Sequence, residues 1–180
     1  MPITAEHIRA TLNGYLDAYP EDKGALDPVF GLLEDGADLT SRSEFRGHAT
    51  AGAVLARPGG EILQIRHLAL GRWLLPGGHL ETADASLREA ALRELLEETG
   101  ISATAVTLAS DGPVHIDVHP IPANSAKGEP EHQHVDFRFV FRTAADVGDL
   151  QAEEVAAAAW RPVDSLPDEV LRLRIVAALR

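Results

Sequence analysis

The stretch from Ser86 to Gly100 constrains this chain more than any other. Ser86 and Glu89 have the spacing of a capping box. Thirteen residues without Gly or Pro follow, and Gly100 supplies a stop. The pattern predicts a helix over 86–99. At about 100° per residue, with Glu94 at zero, Glu97 falls near −60° and Glu98 near +40°, so three carboxylates share an arc of roughly 100°. Leu92, Leu95 and Leu96 fall between about 100° and 200°, which predicts a leucine core on the side opposite the acids. One turn earlier, Ala90 and Ala91 leave space above the carboxylates.

Three Glu on one side of a helix ordinarily mark a solvated face. Such faces interleave Lys or Arg, however, because like charges one turn apart cost a few tenths of a kcal/mol each. No Lys or Arg shares this arc. The acids also fill the last turn, where the helix dipole disfavours negative charge. A hard divalent cation offsets both costs, since Mg²⁺ prefers a few carboxylate oxygens together with water and phosphate. Gly77-Gly78, just upstream, allows the backbone to approach closely and present its polar groups. Arg93 is placed to orient its neighbour Glu94.

The rest of the chain reads as one layered α/β unit. Ile8, Leu12, Tyr15, Leu16 and Tyr19 recur at helical spacing over 4–19, with Thr4 as N-cap and Pro20 as stop. A second helix is expected from Asp27-Pro28 to about Gly36. These helices are candidates to cover an edge of the domain or to build a dimer contact. Residues 51–56 and 61–66 read as a hairpin around Arg57-Pro58-Gly59-Gly60. Trp73-Leu74-Leu75 leads into Pro76-Gly77-Gly78, a loop signal. Strands are expected over 103–109, 113–119, 132–142 and 155–160, with a last helix over about 167–179. Sheet elements interleaved with helices predict helices packed on a mixed sheet, residues 1–44 being a helical extension of the domain formed by 45–180. Trp73 and Trp160 are expected in the core.

Charge and composition narrow the partners. Asp and Glu number 28 against 16 Lys and Arg, a formal net charge of −12, which is poorly suited to gripping long nucleic acid by its phosphates. A phosphate compound would need a cation to offset that charge. Cysteine is absent, excluding disulfides and thiolate metal sites. No stretch approaches the roughly 18 apolar residues of a membrane helix, and the N-terminus lacks a signal-peptide pattern, so a cytoplasmic protein is expected.

Gly78-His79-Leu80-Glu81-Thr82-Ala83-Asp84, followed by Arg93-Glu94-Leu95-Leu96-Glu97-Glu98-Thr99-Gly100-Ile101, closely resembles the Nudix hydrolase box. The box runs Gly, five residues, Glu, seven residues, Arg-Glu-apolar-any-Glu-Glu-any-Gly-apolar, and its second half matches at every specified position. In the first half, Asp84 stands where the box has Glu, and eight residues rather than seven separate it from Arg93. Asp84 and Glu81 are both candidates for the place of that first Glu. The resemblance implies an α/β/α sandwich around a mixed sheet, Mg²⁺ or Mn²⁺ as cofactor, and hydrolysis of a small nucleoside diphosphate linked to another group. By position it implies Glu97 and Glu98 as metal ligands, Glu94 as a further ligand or the general base, Arg93 as its orienting partner, and the Gly77 carbonyl completing the shell. Glu98 is also counted with Glu94 and Arg93 in the catalytic set. A ligand-sensing Nudix domain without catalysis is the alternative, disfavoured because Glu94, Glu97 and Glu98 are all retained.

Two further strands carry polar rows. His115, Asp117 and His119 alternate with Val114, Ile116 and Val118, and His132, His134, Asp136 and Arg138 alternate with Gln133, Val135, Phe137 and Phe139. Paired through the intervening loop, they would put four His and two Asp on one face, either a solvent-facing surface, a wall of the substrate pocket or an extra metal site. His115, His119, His132, His134 and Asp136 are therefore substrate-site candidates, joined by Glu154 from the loop before the 155–160 strand. Glu153 beside it and His48 are weaker ones.

Overall fold

The computed structural model describes residues 2–126 and 128–180. Helix α1 spans Ala5–Ala18, with the Thr4 hydroxyl accepting the His7 amide at 3.1 Å. Helix α2, Lys23–Glu34, starts earlier than the Asp-Pro signal suggests and holds Pro28 inside it. The proline forfeits only a bond to the carbonyl four residues back, close to the helix start, and burial of Leu26, Val29 and Leu33 outweighs that loss. Strands β1 (His48–Ala56) and β2 (Glu61–His67) form the expected antiparallel hairpin. Two short strands follow, β3 (Trp73–Leu74) and β4 (Gly77–His79). Gly77-Gly78 is thus a strand rather than a loop, because β4 lies antiparallel against β1 with Gly77 opposite Gly52.

Helix α3, Leu87–Thr99, is capped as expected: the Ser86 hydroxyl accepts the Glu89 amide, and Gly100 turns left-handed at φ 69°. Ser102 caps a 3-10 turn at Ala103–Ala105, which shortens the next strand, β5, to Val106–Leu108. Strands β6 (His115–Ile121), β7 (His132–Thr143) and β8 (Val155–Pro162) complete one eight-stranded mixed sheet, and α4 (Glu169–Ala178) closes the chain. At its centre β1 and β7 run parallel, flanked by β4 and β6.

Every residue of β1 is buried, since both sheet faces are covered. Ala49, Ala51, Ala53 and Leu55 pack with Phe137, Phe139 and Phe141 of β7 in one cluster with residues of α1, α2 and α3. The alternate residues Val54, Ala56 and Val140 pack with Leu171 and Ile175 of α4. Helices thus lie on both faces of the sheet, with the N-terminal pair contributing Ile8, Leu12, Leu26 and Val29 to the larger cluster. Along the α4 face, β1 and β7 change from apolar to polar, reaching His48, Thr50, His134 and Asp136 at the other end. Trp160 packs against the larger cluster, whereas Trp73 is exposed with the Arg161 guanidinium over its ring. Among the described residues no helix is long and apolar enough to cross a membrane.

Candidate active site

Helix α3 does not turn its acids away from the protein. It buries Leu87, Ala90, Ala91, Leu95, Glu98 and Thr99, while Leu96 is 46% exposed. The inward direction passes through Glu98, which is only 2% exposed. The expected leucine face holds in part: Leu95 is fully buried and Leu92 packs against the core, but Leu96 is exposed, and Ala90 and Ala91 extend the buried face round to Glu98. Glu94 and Glu98 are consequently pressed on β4, while Glu97 is half-exposed.

Arg93 organises that arc. Its Nε and Nη2 donate to the two oxygens of Asp84 at 3.0 and 3.1 Å, and Nη1 donates to Glu94 at 3.0 Å and Glu97 at 2.9 Å. Nη2 also donates to the His79 carbonyl at 2.8 Å. All five N–H donors of the guanidinium are thereby engaged. Of the two candidates, Asp84 is the hydrogen-bonded partner of Arg93. Its side chain is 4% exposed and also accepts the Glu81 amide at 2.7 Å, whereas the Glu81 carboxylate is 60% exposed and 3.9 Å from Arg93.

The two glycines of β4 make room for the carboxylates. The Gly77 amide donates to Glu98 Oε2 at 2.9 Å. A Cβ on Gly78 would lie 2.6–2.8 Å from the Glu94 carboxyl group, and one on Gly77 would meet the β1 backbone at 2.7 Å. Burial pushes Glu94 up to about 7 against the pull of Arg93. Burial likewise pushes Glu98 up to about 8 despite the Gly77 amide, and Glu154 adds to the like charge felt by both. Arg93, although burial works against its charge, is held more firmly protonated by Asp84 and Glu94. Glu94, Glu97, Glu98, Arg93, Gly77 and Glu154 are thus brought together. Oxygen donors in this number, with one guanidinium already saturated, suit a hard divalent ion.

The polar hairpin forms as the alternation predicts, with His119 opposite His134, Asp117 opposite Asp136 and His115 opposite Arg138. His115 stands apart from the other imidazoles, its Nε2 3.5 Å from Asp168 at the start of α4. Asp136 accepts from Thr50 at 3.2 Å and Arg138 at 2.9 Å. His119 and Asp117 pair at 2.9 Å, raising the imidazole and lowering the carboxyl. His132 and His134 sit beside His48 and His79. Burial, then the surrounding imidazoles, push His134 down to about 3. His79 was not singled out from sequence and His48 was given little weight. Their meeting depends on strand neighbours far apart in the chain; the available signal is that His48, like His132, opens a strand.

The NUDIX domain family matches residues 46–179. The chain is 30% identical over 135 residues to the probable DHNTP pyrophosphohydrolase of Lactococcus lactis subsp. cremoris, covering 72% of this chain and 75% of that protein. It is 48% identical over 61 residues to the phosphatase NudJ of Escherichia coli, a match spanning 33% of this chain and only 39% of NudJ. Among solved structures, the MutT protein from Methanosarcina mazei Go1 aligns with TM-score 0.55 at 22% identity, covering 76% and 96% of the two chains. The E. coli dihydroneopterin triphosphate pyrophosphohydrolase aligns with TM-score 0.53 at 17% identity, covering 72% and 92%. The chain therefore belongs to the Nudix family and is an enzyme of its pyrophosphohydrolase class.

Proposed function

We propose that this enzyme uses Mg²⁺ or Mn²⁺ to hydrolyse a phosphoanhydride bond in a small nucleoside diphosphate linked to another group. The observation that carries the reading is the pair of buried Glu98 and half-buried Glu94 against Gly77-Gly78, with Glu97 and Glu154 beside them and the donors of Arg93 already committed. Glu94, Glu97, Glu98 and the Gly77 carbonyl are the groups that would hold the ion. Bound there, it would neutralise the diphosphate and lower the pKa of an attacking water. Arg93 keeps the Glu94 and Glu97 carboxylates in fixed directions through the bonds at 3.0 and 2.9 Å. The Gly77 amide holds one oxygen of Glu98, leaving its second oxygen for the reaction. Glu94 is a further ligand or the base that takes the proton of the water. His115, His119, His132, His134 and Asp136 remain candidates to contact the group beyond the diphosphate, with His134 against the His79 ring of β4 and His115 at the other end of the hairpin beside Asp168. The net charge of −12 favours a small substrate over long nucleic acid.

The test is a phosphate-release screen over nucleoside triphosphates, oxidised nucleotides, nucleotide sugars and dihydroneopterin triphosphate, the last suggested by the names of two relatives. Each reaction is run with Mg²⁺, with Mn²⁺ and with chelator, with and without added phosphatase. A metal-dependent hit supports the reaction and names the substrate. A flat panel in which nucleotides still raise the melting temperature returns the sensing reading.

A further inference from the structure

The two faces of β4 carry different donors. Gly78 faces α3, and the Glu94 carboxylate fills the space where its Cβ would be. His79, the next residue, points to the opposite face by strand alternation. There it lies opposite Thr50 of β1, two residues from His48, which in turn lies opposite His134 of β7. Ligating atoms of His48, His79 and His134 all fall within 4.8 Å of one another. The His48 ring is 4.7 Å from that of His134 and 5.2 Å from that of His79, centroid to centroid.

His48 shows what the cluster is arranged to receive. It is 1% exposed, and its Nδ1 lies 3.2 Å from the Glu44 carbonyl. A carbonyl only accepts, so Nδ1 carries the proton and Nε2 presents a lone pair. That Nε2 is buried and without a hydrogen-bond partner among the described residues, a condition that asks for an explanation such as a bound ion. Metal-ligating histidines characteristically donate their other N–H to a backbone carbonyl in this way. His132 repeats the device one step out: its Nδ1 is 2.8 Å from the Pro130 carbonyl, leaving Nε2 to accept from Nε2 of His134 at 3.3 Å. The other buried unpartnered imidazole nitrogen, Nδ1 of His115, lies at the far end of the hairpin, beside Asp168.

We propose that His48, His79 and His134 form a second metal site, separate from the carboxylates, which takes one divalent transition ion of the zinc class. Three imidazole nitrogens suit Zn²⁺, Ni²⁺ or Cu²⁺ and not Mg²⁺, which demands oxygen. Three atoms no more than 4.8 Å apart share a point no more than about 2.8 Å from each, against roughly 2.0–2.1 Å for a zinc–imidazole bond. Inward movements of about 0.7 Å at most therefore close the site. Three protein ligands leave a fourth position open, as in sites that also bind water or an anionic oxygen of a ligand. His132 is a positioning residue that fixes the His134 ring. The site stands on its own geometry, whether or not the carboxylates perform hydrolysis.

The test is titration of the chelator-treated full chain with Co²⁺ in excess Mg²⁺, which occupies the oxygen donors. One equivalent should bind with the intense visible d–d absorption of a low-coordinate nitrogen site. His134→Ala should abolish that absorption, and His132→Ala should weaken binding roughly 10- to 100-fold. Because His48 is buried and its replacement endangers the fold, His79→Ala is the second variant: it keeps the backbone carbonyl that accepts from Arg93, and circular dichroism verifies its folding. Glu98→Gln should leave the absorption unchanged. Absence of the bands in the wild type, their survival in His134→Ala and folded His79→Ala, or their loss in Glu98→Gln each overturns the proposal.

Discussion

Two arginines, Arg174 buried and Arg93 half-buried, gather acids in this molecule, and they do so to opposite effect. Arg174 of α4 donates to Asp22 at 2.7 Å and Glu21 at 2.8 Å, bonds the Tyr15 hydroxyl, and lies 4.0 Å above the Tyr19 ring. Burial works against the Asp22 charge, but Arg174 and Tyr15 outweigh it and hold the carboxyl below its ordinary value. Around Arg93 several carboxylates face one guanidinium, and burial pushes Glu94 and Glu98 up to about 7 and about 8. A structural cluster satisfies its charges. A site keeps some in deficit so that something else must satisfy them.

That contrast can be broken most severely at Glu98. Glu98→Gln keeps an acceptor for the Gly77 amide but removes the charge, and should lower metal-dependent turnover roughly 10²- to 10⁴-fold with the fold retained; near-normal steady-state rates with Mg²⁺ would refute the assignment. Arg93→Met strips the partner from a 4% exposed Asp84 and should cost about 3–5 kcal/mol of stability in denaturant titrations. Arg174→Met should cost less, about 1–3 kcal/mol, since Asp22 retains the Tyr15 hydroxyl. The smallest effect is one of sign with pH. Asp22, lowered from 3.8, contributes stability above that value that is lost as pH falls through its folded value, so Asp22→Asn should flatten the acid limb of the melting curve. Glu98, raised from 4.5 to about 8, makes the metal-free fold bind more protons than the unfolded chain between those values. In chelator, melting temperature should therefore drop as pH rises through that window, and Glu98→Gln should lessen the drop. Parallel curves for wild type and both variants would erase the distinction between the clusters.

Much of this arrangement was legible from local pattern. The Ser86 cap, the Gly100 stop and the Arg93-Glu94 to Glu97-Glu98 spacing place the acids correctly on one arc, and alternation alone predicts the β6–β7 hairpin with its polar face. What escaped was direction and distance. The inward face of α3 is legible at Leu95 but not at Glu98, because a leucine pattern gives no weight to Ala90 and Ala91, although close contact with a sheet favours the small residue. Pro28 read as a helix start when tertiary burial carried the helix through it. The imidazole cluster escaped because its members meet through β4–β1 and β1–β7 pairings, which no window of neighbouring residues contains.

The parallel pairing of β1 with β7 has a kinetic side. Thr50 and Asp136, partners across it, are 86 residues apart in the chain, so a long loop must close before any of its hydrogen bonds form. Contacts of such sequence separation slow folding and gather late. A register slip of one residue would swing His134 and Asp136 into the face now filled by Val135 and Phe137, a penalty that proofreads the alignment. The His48–His134 pair, which needs β1 and β7 in register, would then be among the later contacts to assemble.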